Sequence, residues 1–338
     1  MACVALAAVL VQLIMVMTSW GGGVSAQFAG PTLACGGTSL LKMTTLISPA
    51  QIGTNGGSAS SCTYTIRAMN LRVCQLRLDF NTFNLAQPTA DPYPRCVNDV
   101  LTIENMDFHL CGANDGQHIY VPFSPTYNDM TMTIDFKLAG RTLGEQAPYW
   151  NIRVQQLECP VGPAFASKLA NRFIPEIPPP SGKTFSNDLA TLAPTGCLQY
   201  FTAPTGTIKS FNFGPGPYIG DTNYAICFRR TRANRILSLH ADVFDLGYVE
   251  MGGMEWTDNE CYSNVPTPAR SEDYLFIQDG HYVAAGGITR RASRFCGQSI
   301  IQNTVETSSP GPFVVYFNSD KLIEASREMG FHITYEIV

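Results

Sequence analysis

Charged side chains are scarce in this sequence, and at the amino terminus they are absent. Asp, Glu, Lys and Arg make up 14% of the 338 residues, and none of them occurs among residues 1–26. Residues 4–17 are apolar except for Gln12, and this run is shorter than the ~18 residues that a membrane span needs. Small residues ending in Val24-Ser25-Ala26 follow. The pattern predicts a secretory signal peptide over residues 1–26, rather than an uncleaved membrane anchor.

Enzyme motifs are also missing. None of the five histidines belongs to an HExxH zinc-binding motif, and there is no G-x-S-x-G nucleophile elbow or glycine-rich phosphate loop. The sequence therefore predicts no catalytic residue and no cofactor-binding residue, and we expect a protein that is not an enzyme. A hydrolase whose site is assembled from scattered Ser, His and Asp residues stays open as an alternative.

Runs of Lys and Arg are missing as well, and the formal net charge is -5. Nucleic acids and anionic membranes both favour basic patches, so neither is an expected partner. After the leader, no apolar run approaches the length of a transmembrane helix. Together with the signal peptide, these absences predict a secreted, extracellular protein without a membrane span.

Cysteine, in contrast, is plentiful. The chain has eleven cysteines, and cleavage of the leader would remove Cys3 and leave an even number. An even count in a secreted chain favours a complete disulfide framework, because the extracellular space is oxidising. Counting alone does not assign the pairs.

The apolar residues follow the period of β-strands. Residues 74–80, 130–136 and 150–154 alternate between apolar and polar side chains, which is typical of strands with one buried face. Outside the leader, no window of twelve or more residues shows the 3.6-residue apolar stripe of an amphipathic helix. The expected fold class is therefore all-β, with antiparallel β-sandwich architecture.

The two halves of the chain resemble each other on either side of a proline-rich stretch at residues 173–182. The first half contains Asp99-Val100-Leu101-Thr102-Ile103 and then Leu110-Cys111-Gly112, and the second contains Asp273-Tyr274-Leu275-Phe276-Ile277 and then Phe295-Cys296-Gly297. In each half a cysteine precedes the aspartate, and an earlier cysteine pair brackets a glycine-rich, strand-like segment. The shared order indicates two copies of one module.

These motifs resemble the CUB domain, a secreted β-sandwich module. The first copy contributes Cys35-Gly36-Gly37, Ile47-Ser48-Pro49 and Cys62-Thr63-Tyr64-Thr65-Ile66, and the second contributes Phe317-Asn318-Ser319-Asp320 with Gly330-Phe331. The arrangement, including Cys197-Leu198-Gln199-Tyr200-Phe201, is also similar to secreted arthropod proteins with two CUB-like modules. The resemblance implies an amino-terminal segment over residues 27–34, CUB-like jelly-roll domains over 35–159 and 197–338, and a linker over 160–196.

The resemblance also implies most of the disulfide pairing. Carried over from the family, the pairs are Cys35 with Cys62, Cys96 with Cys111, Cys197 with Cys227, and Cys261 with Cys296. Cys74 and Cys159 remain. We pair them because the second copy lacks a counterpart of either one, and joint absence is what a bridge predicts.

Many CUB domains hold Ca²⁺ with three carboxylates, and the resemblance implies different outcomes for the two copies. The first copy has Asp99, but Ala86 replaces the glutamate and residues 137–139 replace the last aspartate, so no calcium is expected there. The second copy has Asp273 and Asp320, with Gly247 at the glutamate position. A calcium site at Asp273 and Asp320 is one possibility, in which Glu250 or Glu272 completes the ligands. The alternative is that both aspartates accept hydrogen bonds at turns.

A secreted pair of such modules is expected to bind another extracellular protein or a glycan without catalysis. The alternatives are a structural component of an extracellular coat or matrix, and an enzyme regulator or unrecognised hydrolase. Tyr218, Tyr224 and Trp256 are candidate partner contacts if they are exposed, and core residues if they are not.

Overall fold

The structure is a computed structural model, and it describes residues 30–50, 58–89, 94–126, 128–142, 145–159, 187–231, 235–251, 254–257, 261, 273–284, 287–301, 303–321 and 328–338. For residues 248–251, 254–257 and 284 only the backbone is described. The expected signal peptide and residues 160–186 of the expected linker lie outside the described residues. No helix in the described ranges is long and apolar enough to cross a membrane.

In the part of the chain that the structure describes, nine strands form the first β-sandwich. They are β1 (Thr32–Leu33), β2 (Thr38–Ser39), β3 (Met43–Ile47), β4 (Ser60–Arg67), β5 (Val73–Asn84), β6 (Asp99–Ile103), β7 (His118–Pro122), β8 (Thr131–Leu138) and β9 (Tyr149–Glu158). One sheet has the strand order β1-β3-β9-β5-β7, and the facing sheet has the order β2-β4-β8-β6.

A short 3₁₀ helix, η1 (Asn187–Ala190), precedes the second sandwich. Its strands are β10 (Cys197–Phe201), β11 (Thr205–Lys209), β12 (Thr222–Phe228), β13 (Leu237–Asp245), β14 (Tyr248–Met251), β15 (Met254–Thr257), β16 (Tyr274–Ile277), β17 (His281–Ala284), β18 (Ile288–Arg291), β19 (Arg294–Phe295), β20 (Thr304–Thr307), β21 (Phe313–Ser319) and β22 (Gly330–Ile337). The sheets are β10-β12-β21-β16-β19 and β11-β22-β13-β20-β17-β18, with β14-β15 as a separate hairpin.

The two sandwiches share one topology, as the internal repeat predicts. The order β2-β4-β8-β6 matches β10-β12-β21-β16, and β3-β9-β5-β7 matches β11-β22-β13-β20. The all-β sandwich class is confirmed. Most pairs are antiparallel, but β1–β3, β2–β4 and β10–β12 are parallel.

Period-two alternation builds the cores. The inward residues of β5, β8 and β9 are buried, as the sequence predicts for these three segments. Trp150 stacks on Phe136 with ring centroids 3.9 Å apart, and the Trp150 indole N–H donates to the Tyr64 hydroxyl at 3.0 Å. Burial of one large apolar side chain contributes about 1.5–3 kcal/mol, so these inward rows are the main stabilising feature of each sandwich.

Five disulfides cross-link the sandwiches, and they join the pairs that the sequence analysis expects. The first sandwich has Cys35–Cys62, Cys74–Cys159 and Cys96–Cys111, and the second has Cys197–Cys227 and Cys261–Cys296. Every bridge lies within one module. The disulfides therefore fix each sandwich and leave the contact between the two to weaker interactions.

The carboxyl-terminal part of the expected linker packs against the first sandwich. Asp188 of η1 accepts hydrogen bonds from the Lys42 ammonium at 2.7 Å and from the backbone N–H of Glu158 at 3.0 Å. Gln75 exchanges two hydrogen bonds with the backbone of Ala193. Residues 187–193 therefore act as a docked arm of the first module.

Candidate functional site

The aspartate that heads β6 is the centre of a buried ion pair. Asp99 is 0% exposed. Its two carboxylate oxygens accept the backbone N–H of Ala139 at 3.1 Å and of Ala86 at 2.8 Å. The Arg141 guanidinium donates to the same carboxylate, so the negative charge is neutralised inside the protein.

Two backbone carbonyl groups also fix the position of the Arg141 guanidinium. Its Nε donates to the Gln146 carbonyl at 3.3 Å, and a terminal nitrogen donates to the Ala139 carbonyl at 3.2 Å. The family resemblance implies that Ala86 and residues 137–139 replace two of the calcium-binding carboxylates, and here Ala86 and Ala139 present backbone N–H donors to Asp99. The positively charged guanidinium repels Ca²⁺, and backbone N–H groups cannot supply any of the six to eight oxygen ligands that Ca²⁺ needs. The residues of the first module therefore do not fit calcium.

The equivalent aspartate in the second sandwich, Asp273 at the head of β16, is also buried. One oxygen accepts the backbone N–H of Asp320 at 2.6 Å, and the other accepts the hydroxyl of Tyr218. Burial, and then the nearby Asp273 and Glu328 carboxylates, raise the pKa of Tyr218 well above its ordinary value. The phenol therefore stays protonated and acts as the donor.

The described residues around Asp273 do not assemble a calcium shell. No group of three or more His, Cys, Asp or Glu side chains in the described chain is placed to hold a metal. Both oxygens of Asp273 point at protein donors, in agreement with the turn alternative for this residue. The side chains of Glu250 and Glu272 lie outside the described residues, so calcium at Asp273 and Asp320 stays a prediction that the described geometry disfavours.

A polar cavity opens beside Arg141. It has a volume of about 320 Å³, and its lining includes Asn84, Gln87, Asn98 and Glu145. The guanidinium at this cavity already donates to Asp99, Ala139 and Gln146. The positive charge beside this cavity is therefore already paired with the Asp99 carboxylate.

The two sandwiches meet where the edge strands β7 and β10 lie side by side. Nε2 of His118 is 3.1 Å from both the amide nitrogen and the carbonyl oxygen of Tyr200. His118 is only 7% exposed. Burial, and to a smaller extent the positive charge of the neighbouring Arg77, lower the pKa of His118 from 6.5 to about 4. The imidazole therefore joins the modules in its neutral form.

Asn212 forms the second contact of this joint. Its side-chain oxygen accepts the Ala113 N–H at 2.9 Å, its amide group donates to Gln87 at 2.9 Å, and its backbone N–H donates to Asn114 at 2.8 Å. Gly112 lies so close that a Cβ there would be 2.0 Å from the Asn212 oxygen. The joint is thus a specific, hydrogen-bonded contact.

One sheet face of the second sandwich carries aromatic side chains outward. Tyr274 and Phe276 of β16 and Tyr316 of β21 form what we call the aromatic face. Phe276 and Tyr316 are directly paired across the strands, with ring centroids 6.2 Å apart. The Arg294 guanidinium lies over the Tyr274 ring at 4.6 Å, and Tyr316 is 45% exposed.

The first sandwich has different residues at the same positions. By strand register, Val100, Thr102 and Asp135 correspond to Tyr274, Phe276 and Tyr316. Thr63 donates to the Asp135 carboxylate at 2.5 Å, so this face is polar and internally hydrogen-bonded. The fold can therefore form with no aromatic residue at these three positions.

The comparison with known families now adds to this geometry. A family model described as the animal CUB domain matches residues 194–338, which contain β10 to β22 and the aromatic face. Residues 194–338 therefore belong to the animal CUB domain family. CUB domains generally mediate protein–protein binding and are typically non-catalytic.

Solved structures with weaker likeness include other CUB domains. The CUB1-EGF-CUB2 domain of human MASP-1/3 is 17% identical, with 88% of this chain and 100% of that chain covered and a TM-score of 0.27. The MASP-1 CUB2 domain bound to Ca²⁺ is 22% identical, with 41% and 96% covered and a TM-score of 0.20. The PBSX exported protein XepA is 9% identical, with 87% and 85% covered and a TM-score of 0.19. No curated protein matches the chain.

The structure decides between the two alternatives that the sequence left open for two aromatic residues. Tyr218 and Tyr224 are buried, so they are core residues and not partner contacts, while the side chain of Trp256 lies outside the described residues. Sequence reasoning missed Arg141, His118 and the aromatic face. For the aromatic face a signal was present, because Tyr274 and Phe276 alternate with the buried Leu275 and Ile277.

Proposed function

We propose that this protein is a secreted, non-enzymatic binding protein that recognises another extracellular protein through the aromatic face of its second CUB module. The CUB assignment supports a protein partner. The five disulfides suit an oxidising, extracellular compartment. Secretion and the signal peptide belong to this proposal, as do the two-module boundaries at residues 35–159 and 197–338.

The aromatic face is the observation that carries the proposal. An aromatic ring that stays in contact with water does not gain the free energy that its burial would provide. Aromatic residues are enriched in protein interfaces because rigid rings desolvate with little loss of side-chain entropy. The first module shows that the sandwich accepts Val, Thr and Asp at these positions. Since the first module has the same topology without aromatic residues at these positions, recognition of a partner explains the three aromatic residues better than stability does.

Site-specific photo-crosslinking tests this function. A photoreactive phenylalanine would replace Tyr316 in one full-length variant and Asp135, the equivalent residue of the first module, in a matched control. Both secreted proteins would be irradiated in the extracellular fluid of the source. We expect one defined protein attached at position 316 and none at 135.

Two results would overturn this proposal. A crosslink pattern that is the same at both positions would remove the aromatic face as the binding surface. Self-assembly of the chain into insoluble material, with crosslinks only between copies, would support the structural-component alternative.

A further inference from the structure

The chain contains two pairs of adjacent arginines, and their surroundings differ. Arg229-Arg230 follows β12, and Arg290-Arg291 ends β18. The Arg230 guanidinium donates to the carbonyl groups of Ser309 at 2.6 Å and Gly311 at 2.9 Å, and it lies 4.4 Å from the centroid of the Phe313 ring. The first pair is therefore fixed to the body of the second sandwich through Arg230.

The second pair lies on an insertion. Residues 104–109 connect β6 to Leu110 in the first module, but residues 278–294 connect β16 to the equivalent Phe295. The inserted residues form a two-stranded ribbon, β17–β18. Arg290 and Arg291 are exposed, and neither side chain has a hydrogen bond, ion pair or ring contact with the described chain. Both guanidinium groups are therefore accessible to another molecule.

β18 is the outermost and most weakly held strand of this sheet. It is the last strand in the sheet order, and in the described chain β17 joins the ribbon to the rest of the sheet through one residue pair, His281 and Glu306. Ile288 of β18 and Val283 of β17 are 62% and 61% exposed. Separation of β18 from β17 thus exposes little additional apolar surface, so local opening of the ribbon costs far less than unfolding of the sandwich.

The base of the ribbon is anchored more firmly. The backbone N–H of Ala292 donates to the Gly280 carbonyl at 2.9 Å, and Tyr282 packs edge-on against Phe295 with ring centroids 6.3 Å apart. The Arg291–Ala292 peptide bond is the point where the exposed strand joins this base. Opening of β18 needs to break only the Ala292 hydrogen bond at the base to expose the peptide bond.

An exposed arginine pair in an edge strand fits the substrate requirements of a serine protease. Trypsin-like enzymes recognise arginine through a carboxylate in the specificity pocket, and an extended segment can add to the edge of another sheet through backbone hydrogen bonds. Successive side chains of a strand point to opposite faces. The two arginines would therefore enter two separate pockets of one protease.

We propose that the Arg291–Ala292 peptide bond is a processing site for a serine protease specific for paired basic residues. Hydrolysis would add one water molecule across this bond and leave a carboxylate on Arg291 and an ammonium group on Ala292. Of the five disulfides, Cys261–Cys296 is the one that crosses the bond. The product is therefore a two-chain protein in which residues 292–338 stay covalently attached.

Digestion of the full-length, folded protein with a catalytic amount of a paired-basic-specific serine protease tests this proposal. We expect one species on non-reducing electrophoresis and two fragments after reduction, because the disulfide holds the cleaved chain together. Mass spectrometry should identify Ala292 as the new amino terminus. Protein purified from the extracellular fluid of its source should contain the same terminus.

Two variants show whether the second arginine pair directs the cleavage. Arg290→Gln/Arg291→Gln should slow cleavage by at least about a hundredfold, since the charged pocket of the protease loses its partner. Arg229→Gln is the matched control, because it changes an exposed arginine of the first pair, and it should leave the rate of cleavage unchanged. Both variants change exposed side chains, and both should keep the melting temperature of the natural protein.

Four outcomes would overturn the proposal. The folded protein could resist the protease, or be cleaved after Arg230 as fast as after Arg291, and either result would mean that the ribbon does not select the site. Release of residues 292–338 without a reductant would contradict the two-chain product. Protein from the source that lacks the Ala292 terminus would show that the bond is not processed there.

Discussion

Asp99 and Asp273 occupy the same place in two copies of one module, yet different side chains donate hydrogen bonds to their carboxylates. Asp99 has the Arg141 guanidinium, whereas Asp273 has the Tyr218 hydroxyl. In both cases one carboxylate oxygen accepts a backbone N–H from the residue that follows the neighbouring strand, Ala139 or Asp320. A buried carboxylate without such donors would lose its hydration without replacement, which is why each module fixes a donor there.

Removal of the Arg141 charge should therefore destabilise the first module. Arg141→Gln leaves the Asp99 carboxylate buried without its cation, and we expect the free energy of unfolding to fall by about 3–5 kcal/mol in a denaturant titration. The double variant Asp99→Asn/Arg141→Gln should lose less, because no buried charge remains. As a control, Lys321→Gln removes an exposed partner of Asp221 and should change stability by less than about 1 kcal/mol. Equal losses for Arg141→Gln and Lys321→Gln would contradict this account.

The edge strands β7 and β10 illustrate how two modules can cover each other's open edges. Both are terminal strands in their sheets, and an open edge is prone to wrong pairing. His118 of β7 contacts the backbone of Tyr200 in β10, and the His118 ring also packs edge-on against Phe201 at 4.9 Å. The imidazole therefore serves as both a polar and an apolar contact between the two elements.

Stability should depend on pH through His118. Its folded pKa of about 4 lies below the ordinary 6.5, so the unfolded chain binds more protons between these values, and acidification favours unfolding. The contribution is fully present above pH 6.5 and is lost as the pH falls towards 4. At pH 4.5 the loss is on the order of 2–3 kcal/mol.

The variant His118→Gln keeps a polar group but does not titrate. In denaturant titrations at pH 7 and pH 4.5, the unfolding free energy of the natural protein should fall further than that of the variant. Carboxylates titrate in both proteins, so their effect cancels when the decrease in unfolding free energy of the variant is subtracted from that of the natural protein. A difference near zero would show that His118 is not buried in its neutral form.

At the scale of the whole molecule, the two sandwiches are joined by specific polar contacts. Each disulfide stays within one module, so the joint depends on the His118 contact, on the hydrogen bonds of Asn212 and on the docked arm that contains Asp188. The aromatic rings of Phe108 and Phe211 add an apolar contact between the modules at 5.3 Å. Such a joint should couple the two cores.

The natural protein should therefore unfold in a single calorimetric transition at neutral pH, and Gly112→Ala should separate it into two. The added Cβ would collide with Asn212. Gly116→Ala is a matched control, because φ is +74° at Gly116 and +70° at Gly112, but a Cβ at Gly116 would meet no atom within 4 Å. Both variants share a backbone strain of roughly 1–2 kcal/mol. Two transitions in both variants, or in neither, would show that Asn212 does not couple the modules.

The sequence by itself determined the strands and the repeat, because alternation along β5, β8 and β9 and the spacing of motifs are local properties. Four of the cysteine pairs followed from the family resemblance, and the pair Cys74–Cys159 followed from the absence of both counterparts in the second copy. The family resemblance further predicted that calcium ligands are missing at Ala86 and Gly247. Only the tertiary structure decided what occupies those positions and how the modules meet. The contacts of Arg141 with Asp99, Tyr218 with Asp273, and His118 with Tyr200 join residues 42, 55 and 82 positions apart. Since no local periodicity encodes such pairs, they depend on how the packed sheets bring distant segments together.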